Sequence, residues 1–147
     1  MDGTKRFLGE IMTKIRLDHI GLAVNSLDEG VEFWKILGLI SHGEDERNHE
    51  QGVDIRFLTT QPGEPPLLEL LSPISPDTVV AKFIQKRGVG VQQLAFEVEN
   101  LQETIDSLQS AGVKMIDAVP KHGSHGTKIA FVHPSSTGGV LVELLEK

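Results

Sequence analysis

A shift of 74 positions lays the second half of this chain over the first without a gap. Under it His19 falls on Gln93, Val24 on Val98, Leu27 on Leu101, Gly38 on Gly112, Phe57 on Phe131, Glu69 on Glu143 and Leu70 on Leu144. A constant offset across a whole unit marks a duplicated module, and two copies imply a pseudo-twofold pair, because a solenoid needs more repeats to bury its faces. The clearest stretch is Leu17-Asp18-His19-Ile20-Gly21-Leu22-Ala23-Val24. Its weaker copy is Val91-Gln92-Gln93-Leu94-Ala95-Phe96-Glu97-Val98.

The first module reads as strand, helix, strand, strand, strand. In the opening strand, residues 15–24, period-two alternation sends Ile20, Leu22 and Val24 to one face for packing against a helix. His19, Gly21 and Ala23 go to the other, where the small residues would line a concavity with the imidazole projecting into it. Asn25, Ser26 and Asp28 are capping residues, Leu27, Val31, Trp34 and Leu37 recur at helical spacing, and Gly38 supplies a left-handed stop. Strands over 39–44, 53–60 and 67–71 follow, with a loop over 45–51 and a Pro-rich turn at 61–66. The copy predicts strand 91–98, helix 102–111, and strands 113–119, 127–133 and 139–146. Ser75-Pro76-Asp77 opens a linker helix that Gly88 ends, giving module one at 15–72, a linker at 75–88 and module two at 90–147. Residues 1–14 stand outside the repeat; Phe7, Leu8, Ile11 and Met12 suit a short amphipathic helix without chemistry.

Composition narrows the function. The 147 residues, 39% of them apolar, suit one compact domain or two fused halves. No apolar run reaches the length of a membrane span, the start lacks the apolar centre of a signal peptide, and the expected location is the cytoplasm. A formal charge of -7 argues against nucleic acid, although a small anionic substrate stays open through Lys121, His122, His125 and Lys128. With no cysteine, any metal must be held by nitrogen and oxygen.

Glu69 and Glu143 are single carboxylates with apolar neighbours on both sides. Burying such a group costs several kcal/mol unless a proton or a cation neutralises it. Residues equivalent in two copies lie symmetrically about a dyad, so His19, Gln93, Glu69 and Glu143 are predicted to converge as one nitrogen and three oxygen donors. That set suits Co, Mn, Ni, Mg or Zn with substrate or water completing the shell. The Gly-rich loop around Gly123 and Gly126, with Lys121 and Lys128, offers backbone N–H groups for an anion or is a solvated turn. His133 reads as structural, and His42 and His49 as surface.

The paired modules with His, Gln and Glu on matching strands resemble the vicinal oxygen chelate (glyoxalase) superfamily, and within it the methylmalonyl-CoA epimerases most. The likeness rests on residues 17–24, Glu50-Gln51-Gly52-Val53, Leu68-Glu69-Leu70-Leu71-Ser72-Pro73, the linker, Gly123-Ser124-His125-Gly126, Ile129 to Pro134 and Gly138 to Leu144. It implies an α+β fold of two tandem βαβββ modules forming a cupped mixed sheet, with the site in the cleft. It also implies metal ligands at His19, Glu69, Gln93 and Glu143, a divalent metal cofactor, an acyl-CoA substrate and a homodimer. The implied reaction is epimerisation at C2 through an enolate, with Glu143 and Glu69 as proton carriers and Lys121, His125 and Lys128 as substrate contacts. Two departures stand out. Gln92-Gln93 replaces a usual His pair, and Ile55 stands where some epimerases carry a glutamate, leaving a second proton carrier unassigned. A glyoxalase I-like lyase and a metal-free small-molecule binder of the same fold are the rival readings.

Overall fold

The computed structural model describes residues 14–60 and 63–147; the helix expected at the N-terminus and part of the 61–66 turn lie outside them. Among the described residues the fold is α+β, with nine strands and four α-helices, and no helix is long and apolar enough to cross a membrane. The chain divides into two compact units, Leu17–Ala95 and a second that gathers Phe96–Lys147 with the described residues before Leu17.

The Leu17–Ala95 unit is built on a mixed sheet. β1 (Ile15–Ala23) pairs in parallel with β5 (Leu67–Pro73), which is antiparallel to β4 (Val53–Thr59); β2 (Ile40–Ser41) and β3 (Glu46–Asn48) pair along β4. Two clusters cover its faces. Leu22, Val24, Leu58 and Leu70 pack with Val31, Leu27 and Trp34 of the α1 (Leu27–Gly30) and α2 (Glu32–Leu37) region, as the alternation of the opening strand predicted. The opposite face carries Ala23, Val53, Ile55, Phe57 and Leu71, and α3 (Val79–Arg87) lays Val80, Phe83 and Ile84 on it. Each fully buried aliphatic side chain in these layers contributes about 1.5–3 kcal/mol of apolar transfer. β6 (Gly90–Val98) runs through the division between the units.

In the second unit, α4 (Leu101–Ser110) packs Leu101 and Ile105 on Ala130, Val132 and Leu144 of β8 (Lys128–Val132) and β9 (Leu141–Glu146), and β7 (Lys121–His122) edges β8. The duplication is visible inside each unit separately. Ser26 caps α1 by accepting from the Glu29 N–H, and Asn100 caps α4 by accepting from Glu103, each pair 74 residues from its counterpart. Phe57 registers with Glu69 in one ladder and Phe131 with Glu143 in the other.

Four local expectations change. The linker helix starts at Val79, capped by Thr78 accepting from the Ala81 N–H, so Ser75-Pro76-Asp77 lies outside it. The 45–51 loop contains β3, held by two Arg47 hydrogen bonds to Asp54, of 2.7 and 3.0 Å. The first-module helix is interrupted at Val31. The strand expected at 113–119 is a crossing segment that meets β8 in an isolated Met115–Val132 bridge. There the Ile116 and Asp117 N–H groups both donate to the Phe131 carbonyl, while the Asp117 carboxylate accepts from the Phe131 N–H, which leaves no ladder to extend.

Candidate active site

His19 sits in β1, 4% exposed, between two carboxylates. Its Nδ1, the ring nitrogen nearer the backbone, lies 2.8 Å from Asp18 Oδ2, and its Nε2 lies 3.2 Å from Glu69 Oε2. The edge of the ring meets Phe57 at 5.7 Å between centroids and 86° between planes, which fixes the imidazole's tilt. Register explains the meeting: Gly21 pairs with Glu69 and His19 with Leu67, and Phe57 flanks Glu69 from β4. Gln93 completes the group. A methyl on Gly21 would stand 2.5 Å from Gln93 Cγ, so the glutamine side chain lies over that glycine, directly beside Glu69's position in the ladder. Thus three of the four predicted donors, His19, Glu69 and Gln93, come together in the Leu17–Ala95 unit.

The donor set fits a cation. A neutral imidazole donates from one nitrogen only; with Nδ1–H given to Asp18, the Nε2 lone pair faces the Glu69 carboxylate at 3.2 Å, and two electron-rich atoms hold that spacing when a positive charge serves both. A proton on Nε2 meets that need, and so does a divalent metal bound by Nε2, Glu69 and the Gln93 amide oxygen. Among the described residues no three His, Asp or Glu side chains form a metal cluster by themselves, so the fit rests on the His19–Glu69 pair and Gln93.

In the second unit Glu143 is buried on β9, on the face of the β8–β9 ladder away from α4. Its register partner Phe131 carries the Lys121 ammonium 5.1 Å from the ring centre, and Asp117 holds that ammonium at 3.3 Å. Lys121 therefore lies on the Glu143 side of the ladder. Lys128 does not: it alternates onto the α4 face, is 64% exposed and stands 3.9 Å from Glu146, whose carboxylate also accepts from the Leu101 N–H. His125 is exposed in a tight turn, in the left-handed region at φ 56°, with the turn closed by the Gly123 N–H donating to the Thr127 carbonyl. His133 is structural, its Nδ1 accepting from the Ser135 N–H. An apolar cavity of about 310 Å³ in this unit lies under α4 among Val98, Leu108, Val132 and Leu144, on the face opposite Glu143.

Asp18 was not singled out by its position, although an acidic residue beside a histidine on an otherwise apolar strand is the available signal.

The chain belongs to the Glyoxalase/Bleomycin resistance protein/Dioxygenase superfamily, whose sequence model matches residues 18–131. Within it the chain stands beside the methylmalonyl-CoA epimerases. It is 41% identical to the uncharacterized protein YqjC of Bacillus subtilis over 89% of this chain and 91% of that one. It is 32% identical to the mitochondrial methylmalonyl-CoA epimerase of Dictyostelium discoideum, over 99% and 88%. A structure of a Streptomyces coelicolor methylmalonyl-CoA epimerase variant in complex with 2-nitronate-propionyl-CoA superposes with a TM-score of 0.82 at 36% identity, covering 90% of this chain and 96% of that one.

Proposed function

We propose that this protein is an epimerase of an acyl-CoA, interconverting the two C2 epimers of methylmalonyl-CoA by proton transfer through an enolate. The observation that carries the reading is the buried imidazole clamped between Asp18 and Glu69 with Gln93 alongside, in a chain whose relatives bear that activity in their names. A nitronate is a planar delocalised anion, the shape and charge of an enolate, and its presence in the Streptomyces coelicolor complex supports an enolate-forming reaction.

His19, Glu69 and Gln93 would hold a divalent cation, and the duplication nominates Glu143 as a fourth donor. When bound, the ion supplies Lewis-acid stabilisation of negative charge on substrate oxygens. Asp18 keeps the Nδ1 proton, so that Nε2 stays a donor. Phe57 excludes water from one side of the imidazole. Glu143, a buried carboxylate, exchanges the C2 proton on one side, while Glu69, its counterpart in the repeat, serves as a cation donor. Lys121, steadied by Asp117 and Phe131, meets the substrate's carboxylate or phosphates, and the His125 turn offers backbone N–H groups to the same anionic molecule. Lys128 contributes long-range attraction alone.

Incubation of metal-supplemented protein with methylmalonyl-CoA in deuterated water tests the reading: deuterium enters C2 and the epimers equilibrate. No exchange with Co, Zn, Mn, Ni or Mg present would exclude it.

A further inference from the structure

Inversion at C2 needs a proton to leave one side of a planar intermediate and another to arrive on the other, hence two proton carriers. Ile55, where the resemblance puts a glutamate, is hydrocarbon, 3% exposed within an apolar cluster, and carries no proton. Yet a carboxylate stands directly beside it. β3 pairs antiparallel with β4 so that Glu46 is the register partner of Ile55, and partners in such a pair share a face with Cβ atoms about 4.5–5.5 Å apart. That face is the one bearing Ala23, Phe57 and Leu71, and Phe57 and Leu71 alternate along it with Glu69's position.

We propose that Glu46 is the second proton carrier of the epimerisation, an inference resting on the function proposed above. Two observations support it beyond register. Glu46 Oε2 is shielded from solvent, although β3 is three residues long and the residues on either side, Asp45 and Arg47, are exposed. Those neighbours also pin the strand: Asp45 accepts from Arg56 at 2.8 and 2.7 Å, and Arg47 donates to Asp54 at 2.7 and 3.0 Å, all on the opposite face. Alternation then turns Glu46 inward. From Glu69 it is two strands across and one side-chain row along, about 10 Å and about 7 Å in an ideal sheet.

The step balances without another reagent. The Glu46 carboxylate takes the C2 proton, the C–H electron pair moves into the thioester as an enolate, and a second carboxylic acid delivers its proton to the other side of C2. Glu46 finishes protonated and its counterpart ionised, and exchange with water restores both. Glu69, held at 3.2 Å from His19, keeps the part of a cation donor.

The test follows each purified C2 epimer in deuterated water with wild type, Glu46→Gln, and a double variant, Glu46→Ile with Ile55→Glu, that moves the carboxylate one strand inward. In Glu46→Gln, interconversion falls about 100-fold or more, while one epimer still exchanges its C2 proton with retention of configuration; the double variant regains interconversion. A structural role would instead depress exchange from both epimers equally and lower the thermal midpoint. Interconversion in Glu46→Gln within a few-fold of wild type, or equal loss from both epimers without recovery in the double variant, overturns the assignment of Glu46 and leaves the epimerase reading standing. A wild-type protein that exchanges nothing overturns both.

Discussion

Replacing Gly21 by alanine measures how closely Gln93 lies over β1. The glycine has no left-handed backbone, so the exchange brings no strain and, by restricting the unfolded chain, by itself favours folding by about 0.4–1 kcal/mol. The new methyl stands 2.5 Å from Cγ and 3.2 Å from Cδ of Gln93, and 3.2 Å from Cδ1 of Leu71. Overpacking a buried layer in this way costs about 1–3 kcal/mol, which leaves a net loss of up to about 2.6 kcal/mol. At about 3 °C per kcal/mol for a chain of this length, the thermal midpoint drops by up to about 8 °C. Gln93→Ala removes the obstacle, and in that background Gly21→Ala becomes neutral or stabilising, a coupling of about 0.5–3 kcal/mol. Thermal and urea unfolding of wild type, the two single variants and the double variant close the cycle. Equal losses from Gly21→Ala with and without the glutamine side chain would show that Gln93 does not lie there, and the donor set built on that contact would fall with it.

Asp18→Asn keeps a polar partner for His19 but removes the carboxylate that fixes the Nδ1 proton; cobalt or zinc affinity, read by titration calorimetry, drops about 10–100-fold, and unchanged affinity would refute the clamp. Asn100→Ala removes the cap of α4 and costs about 0.5–2 kcal/mol in urea unfolding; no loss would mean that Glu146 alone suffices there. The guanidinium of Arg56 holds the Asp45 carboxyl below the usual range, and that of Arg47 does the same for Asp54. A lowered folded pKa gives stability present above the unfolded value of about 3.9 and lost as pH falls through the folded one. Arg47→Gln with Arg56→Gln therefore destabilises at neutral pH, and circular dichroism shows the gap from wild type closing below about pH 4. A gap that persists at low pH would place the effect in packing.

The duplication was legible because it leaves equivalent capping and register residues at one offset: Ser26 and Asn100, Gly38 and Gly112, Phe57 with Glu69 and Phe131 with Glu143. The two faces of β1 were legible from alternation alone. β3 was not, since Glu46-Arg47-Asn48 is wholly polar and pairs through ion bridges to β4, which a hydrophobic pattern does not register. The crossing at 113–119 was missed for the opposite reason. Val113, Met115 and Val119 alternate as a strand would, yet Asp117 spends its carboxylate on the Phe131 N–H and turns the segment across β8. Lys128 was grouped with Lys121 by proximity in sequence, and the pleat separates them.

The two equivalent phenylalanines have acquired unlike neighbours, an imidazole edge at Phe57 and an ammonium over Phe131. A chain made by doubling either half would own two of one chemistry and none of the other. The two halves are therefore not interchangeable at this position: exchanging one for the other would lose either the imidazole edge or the ammonium from its phenylalanine.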